Sequence, residues 1–146
     1  MQRTTRRGRW GYTLLELVLV MALLAIVSSI GVHLLRQELD RVAVGNAVAE
    51  AAGAMARARD EALARRAIVT VRVDTVAASL LIRAGAQRLA RLALGHSHGV
   101  RLSASRDSIA FDARGLGYGA ANLTLVARRG AAADTLVVSR LGRVRR

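Results

Sequence analysis

The stretch Gly11-Tyr-Thr-Leu-Leu-Glu-Leu-Val-Leu-Val-Met-Ala-Leu-Leu-Ala-Ile-Val27 decides how the rest of the chain is read. No residue from Leu17 to Val27 is polar. With Ser28, Ser29 and Ile30 to Leu35 the segment reaches the length of a membrane-spanning helix. One carboxylate, Glu16, stands near its start, and Arg3, Arg6, Arg7 and Arg9 precede it with no acid to offset them. A carboxylate at the edge of an apolar helix is unfavourable unless it finds a partner. Glu16 is therefore the first candidate functional residue.

Three explanations of the stretch compete. A cleaved secretory signal needs small residues after its apolar core. Ser28, Ser29 and Gly31 supply a poor site, and apolar character resumes at Val32. A plain membrane anchor fits the length and the arginines but leaves an acid five residues after a glycine unexplained. The third explanation covers that acid. Gly11-Tyr-Thr-Leu-Leu-Glu16, followed by a Leu/Val/Ala/Ile run, resembles the class III signal of type IV prepilins and type II secretion pseudopilins. The resemblance implies cleavage by prepilin peptidase between Gly11 and Tyr12, on the cytoplasmic side, and N-methylation of Tyr12. It also implies an assembly role for Glu16, which would meet the free terminal amine of a neighbouring pilin or pseudopilin subunit. Tyr12 stands where phenylalanine is usual, which keeps the aromatic ring.

Downstream of the apolar segment roughly 110 residues remain, enough for one hydrophobic core. Aromatic residues are 3% of the chain, so that core must be built from Leu, Val, Ile and Ala. The absence of cysteine excludes a disulfide staple and a thiolate metal site. All 23 basic residues are arginine, and the formal net charge is +13. Loss of the four leader arginines would lower it to +9. Two explanations of the arginine excess stay open: a phosphate-bearing partner, nucleic acid or anionic lipid, or the codon bias of a GC-rich genome.

Residues 1–11 read as a basic leader, retained in the cytoplasm by the positive-inside tendency, with everything after the inner-membrane span in the periplasm. Residues 12–66 read as one long helix, transmembrane over about 12–35. Its second half is amphipathic. Val44, Val48, Ala51, Met55, Ala58 and Ala62 recur at helical spacing, with Arg41, Glu50, Arg57, Asp60, Glu61 and Arg65 mostly elsewhere. From Ala67 the period becomes two. Strands are expected at 68–74, 79–83, 88–94, 100–103, 108–111, 123–127 and 135–139, with turn residues between them. Short, evenly spaced strands with no helix alternating between them exclude a doubly wound parallel sheet. They predict an α+β chain in which the long helix packs on an antiparallel, sandwich-like β domain over 67–146.

Two further segments narrow the resemblance. Ala58-Arg-Asp-Glu-Ala-Leu-Ala-Arg-Arg-Ala-Ile-Val-Thr-Val71 is similar to the helix-to-strand junction of GspH/FimT-type minor pseudopilins. Ile109-Ala-Phe-Asp-Ala-Arg-Gly115 and Leu136-Val-Val-Ser-Arg-Leu-Gly-Arg-Val144 are similar to the end of that family. The resemblance implies a pilin-like fold and a structural role at the tip or initiation of a pseudopilus or pilus, rather than an enzyme. In the FimT branch a C-terminal Gly-Arg-x-Arg motif goes with DNA binding in natural transformation. Gly142, Arg143 and Arg145 match it here, and Arg146 adds a third arginine. The rival function is therefore a pilus-borne DNA receptor using Arg143, Arg145 and Arg146, with Arg128, Arg129 and Arg140 as extensions.

Other spellings carry less. Gly95-His-Ser-His-Gly99 matches the hydrolase elbow pattern, but a strand follows it and no histidine comes later, so a hairpin turn is expected. His96 and His98 lack the companions of a metal site. Gly115-Leu-Gly-Tyr-Gly119 opens no helix and reads as a loop. No cofactor and no metal is expected.

Overall fold

The computed structural model describes residues 12–118 and 122–145. The expected leader 1–11, with Gly11, lies outside the described residues, as does Arg146. One helix, α1, runs Leu14–Arg65, and the chain divides into two compact units, Met1–Arg36 and Gln37–Arg146.

In the first unit α1 exposes Leu17, Leu23, Leu24 and Ile26. The helix is long and apolar enough to cross a membrane, with an 18-residue window of mean hydropathy 2.5 and none of it buried. An apolar surface all round is what a helix in hydrocarbon requires.

In the second unit α1 buries a single stripe. The six apolar positions picked out by period (Val44, Val48, Ala51, Met55, Ala58, Ala62) are all buried, and Ala47 and Ala54 join them. Glu61 and Arg65, one turn apart, pair at 2.7 Å on the exposed side.

Nine strands follow among the described residues. β1 (Val69–Asp74), β2 (Ser79–Ala84), β3 (Gln87–Leu92), β5 (Ser108–Phe111) and β6 (Gly117–Tyr118) form one sheet in the order β3-β2-β1-β5-β6. β4 (Arg101–Ala104), β7 (Leu123–Arg129), β8 (Ala132–Val138) and β9 (Val144–Arg145) form the other in the order β4-β7-β8-β9. Every pairing is antiparallel. Period-two alternation sends one side of each strand inward. Val69, Val71 and Val73 of β1 face the core beside Ile82, Leu80, Ile109 and Phe111. Leu123, Leu125, Leu136 and Val138 do the same in the second sheet. These residues and the α1 stripe make one continuous core, in which the aromatic Phe111 is fully buried.

Two expectations are corrected. The third strand ends at Leu92 rather than Leu94, and Gly95–Gly99 is not a hairpin turn. Leu94–His98 is a one-turn helix, α2, closed by Ser97 N donating to Ala93 O at 2.9 Å and Gly99 N donating to Gly95 O at 3.0 Å. A hairpin would pair the flanking strands. Here β3 belongs to one sheet and β4 to the other, so the connection must carry the chain between sheets, and burial of Leu94 pins it. The seven expected strands become nine because β6 and β9 are two-residue pieces too short to alternate.

Candidate functional site

The N-terminal motif starts a capped helix. Thr13 precedes the first helical residue, and its Oγ1 accepts a hydrogen bond from Glu16 N at 3.2 Å. Leu17 N donates to Thr13 O at 3.2 Å, the first main-chain bond of α1. Thr13-x-x-Glu16 thus has the spelling of a capping box, with the threonine half formed. Glu16 lies in the first turn and is exposed, where the helix dipole favours a negative charge. Sequence reading placed Glu16 by its distance from Gly11. Its local reason is the helix start fixed by Thr13, a signal carried by the same four letters. Tyr12, which precedes the helix, is also exposed.

The C-terminal arm is ordered by the turn before β6. Asp112 Oδ1 accepts from Arg114 N and Leu116 N, each at 2.9 Å, and its other oxygen receives the Arg114 guanidinium at 3.2 Å. The Leu116 amide above all, with the Arg114 contacts, holds the Asp112 carboxyl below its ordinary range. Gly117 N then donates to Arg140 O at 3.0 Å, and Ser139 N donates to Arg143 O at 2.8 Å. Arg143 and Arg145 are exposed, and β9, which contains Arg145, is paired with β8.

Arg140 lies exposed in the turn that leads to Arg143, whereas Arg128 and Arg129 lie at the other end of the β7–β8 ladder from Val138, the partner of Val144 in β9. Arg129 is committed elsewhere: its Nε meets Asp40 Oδ1 at 2.9 Å and its Nη1 donates to His98 O at 2.7 Å. Arg128 faces Arg101 across the β4–β7 ladder. His98 holds Glu50 Oε2 at 2.7 Å through Nε2, and no group of three or more ligating side chains converges among the described residues.

Comparison with known proteins decides what this architecture is. The family model described as Type II transport protein GspH matches residues 47–142, which runs from the buried stripe of α1 to the C-terminal arm. The chain belongs to the GspH family. A second model, the Prokaryotic N-terminal methylation motif, matches residues 6–32 of this GspH-family chain. That motif implies processing by prepilin peptidase and assembly with other pilins. Two crystal structures of the type IV minor pilin FimU of Pseudomonas aeruginosa (strain PAO1) share the fold at 18% identity. The first has a TM-score of 0.59 over 70% of this chain and 86% of FimU, the second 0.57 over 69% and 90%. No curated protein matches the chain. The GspH-family protein is therefore a pilin-like minor pilin or pseudopilin of a type II secretion or type IV pilus system, a family of structural subunits rather than known enzymes.

Proposed function

We propose that the protein is a minor subunit that enters the tip or initiating complex of a pseudopilus or pilus through its N-terminal segment. Residues 1–11 are the leader, cut off between Gly11 and Tyr12, with Tyr12 methylated on its new amine. Residues 12–35 anchor the chain in the inner membrane, the helix continues to Arg65, and the β domain 67–146 stands in the periplasm. The exposed Glu16 carboxylate pairs with the terminal amine of a neighbouring subunit. Two opposite charges about 4 Å apart attract by roughly 4 kcal/mol at an effective dielectric near 20, enough to offset part of their burial in lipid. Cleavage creates the amine, so processing licenses assembly.

The observation that supports this reading is the helix start. A methylation-motif match over 6–32 coincides with a Thr13-capped helix whose first turn carries the exposed acid. Intact mass of the protein from cells with and without prepilin peptidase tests processing. Loss of residues 1–11 only in peptidase-positive cells is the expected result. Incorporation of Glu16→Ala into filaments tests the pairing, and normal incorporation would remove it.

A second reading is DNA capture by Arg143, Arg145 and Arg146. In its favour, Arg143 and Arg145 are exposed on an arm tied down by β9 instead of lying in a frayed tail. Replacing the three by glutamine should then weaken DNA affinity across a salt series.

A further inference from the structure

The outward face of the five-stranded sheet carries four arginines brought together by an irregularity in the strand ladder. Arg72 of β1 pairs with Leu81 of β2, and Leu81 pairs with Arg91 of β3, so one cross-strand row reads Arg72–Leu81–Arg91. The next row reads Tyr118–Ala110–Thr70–Arg83–Arg88 from β6 to β3. Arg88 and Arg91 are three residues apart, so a regular strand would point them to opposite faces. The register shift between Ile82 and Arg83 removes that conflict. Ala90 pairs with Ile82, Leu89 is passed over, and Arg88 pairs with Arg83. A bulge of this kind re-aims a side chain, and here it adds Arg88 to the arginine face.

This arrangement does not help the chain fold. Arg83 and Arg88 sit directly opposite each other, a like-charge pair that weakens an antiparallel ladder. Among the described residues none of the four arginines takes part in an ion pair, and all four are exposed. Arg83 donates to the Ala86 carbonyl at 3.3 Å in its own hairpin. Two acids, Asp74 and Asp107, line a cleft of about 490 Å³ together with Arg72, Arg88 and Arg91. Asp74 accepts from Val76 N and Ala77 N in its own turn, and Asp107 accepts from Ser108 Oγ. Strands about 4.8 Å apart put the Arg72 and Arg91 backbones roughly 10 Å apart, with Arg83 and Arg88 one row away. Such a spread suits a ligand carrying several anionic groups in series. At the far end of the second row the exposed Tyr118 ring offers a stacking surface for a base.

The geometry points to the outward face of this sheet as a nucleic-acid binding surface, with Arg72, Arg83, Arg88 and Arg91 on successive phosphates and Tyr118 against an exposed base. This goes beyond the assembly reading and does not use the C-terminal arginines. Binding is independent of sequence, because every contact but Tyr118 is to phosphate.

The test uses the full processed chain in nonionic detergent, with fluorescein-labelled 30-nucleotide single-stranded and duplex DNA of arbitrary sequence. Anisotropy is read from low to moderate salt. Four phosphate contacts predict a slope of log affinity against log salt near −3.6 for duplex and near −2.8 for single strand. The variant Arg72→Gln/Arg83→Gln/Arg88→Gln/Arg91→Gln should lose at least tenfold in affinity at low salt and flatten the slope by about 3. Tyr118→Ala should weaken the single strand several-fold and leave the duplex within twofold. Arg101→Gln/Arg128→Gln, on the other sheet, should keep most of the affinity. An equal loss in that control would overturn the proposal, since net charge alone would then explain binding. So would an unchanged slope in the quadruple variant. If that variant does not fold, the four-lysine version and Arg91→Gln alone carry the test. The lysines should preserve the slope and Arg91→Gln should lower it by about 1. Filament incorporation of the same variants should be normal, which keeps failure here separate from failure of the assembly reading.

Discussion

Arg129 and Asp40 join β7 to α1 by an ion pair of 2.9 Å, and the same guanidinium donates to the His98 carbonyl at the end of α2. One side chain therefore ties a strand of the second sheet to the helix and to the connection between the sheets. His98 itself holds Glu50, ten residues further along α1. The two contacts clamp α2 onto α1 at both ends of the same histidine.

Arg129→Gln should therefore destabilise the protein, and Arg128→Gln should not. Loss of a part-exposed ion pair and a charge-assisted hydrogen bond costs about 1–2 kcal/mol, or a fall in Tm of roughly 5 °C for a domain of this size. Arg128 is exposed and faces Arg101, so neutralising it leaves Tm unchanged or slightly raised. Thermal unfolding of the full chain in detergent, followed by circular dichroism, separates the two.

Asp112 should give the fold an acid-sensitive component. Its carboxyl is held below the ordinary carboxylate range by the Leu116 amide and the Arg114 contacts. A depressed folded-state pKa means that, at acid pH, the carboxyl group binds fewer protons in the folded than in the unfolded state. Its contribution is full above the unfolded value, near pH 4, and is lost as pH falls through the lower folded value. Asp112→Asn should lower Tm at neutral pH, and its curve should converge on that of the parent protein as the pH falls below about 4. Parallel curves down to pH 3 would show that the charge does not matter.

How much of this was readable beforehand follows from which signals are local. The α1 stripe was legible because six positions repeat at one period and all six are buried. Val69, Val71 and Val73 were legible by alternation, and the missing strand–helix–strand pattern excluded a parallel sheet. The connection at Leu94–His98 was not legible, because a single turn of helix has no period and Gly95 and Gly99 also suit a hairpin. The commitment of Arg129 to Asp40 was hidden for another reason: the partners are far apart in sequence, and no local pattern distinguishes Arg129 from the exposed Arg128. The arginine face depends on a bulge at Ile82/Arg83, and a plain count of alternation places Arg88 on the wrong side.

Gly142 should resist substitution more than Gly85, although both have positive φ. At Gly85 an added Cβ meets nothing, so Gly85→Ala carries only the left-handed strain of about 1 kcal/mol. At Gly142 the same atom would lie 2.9 Å from the Gly115 carbonyl oxygen and near Arg59. That clash adds to the strain, and Gly142→Ala should cost at least about 2 kcal/mol. The site has no slack, since Gly115 itself packs against Arg59 and Leu63 and Gly142 N donates to Ser139 O at 2.9 Å. Equal Tm shifts for the two variants would show that strain alone governs both.

The alanines of α1 should prove sensitive to size rather than to polarity of surroundings. Ala51 and Ala58 have no accessible surface and belong to the core that both sheets share, whereas Ala56 on the same helix is exposed. Extra methylenes in a close-packed core force side chains off their rotamers or move the backbone, at about 1–3 kcal/mol. Ala51→Leu and Ala58→Leu should each lower Tm by several degrees. Ala56→Leu, which adds an exposed apolar group on a residue type of similar helix propensity, should change Tm little. A comparable loss for all three would place the effect in the helix itself and not in its packing against the strands.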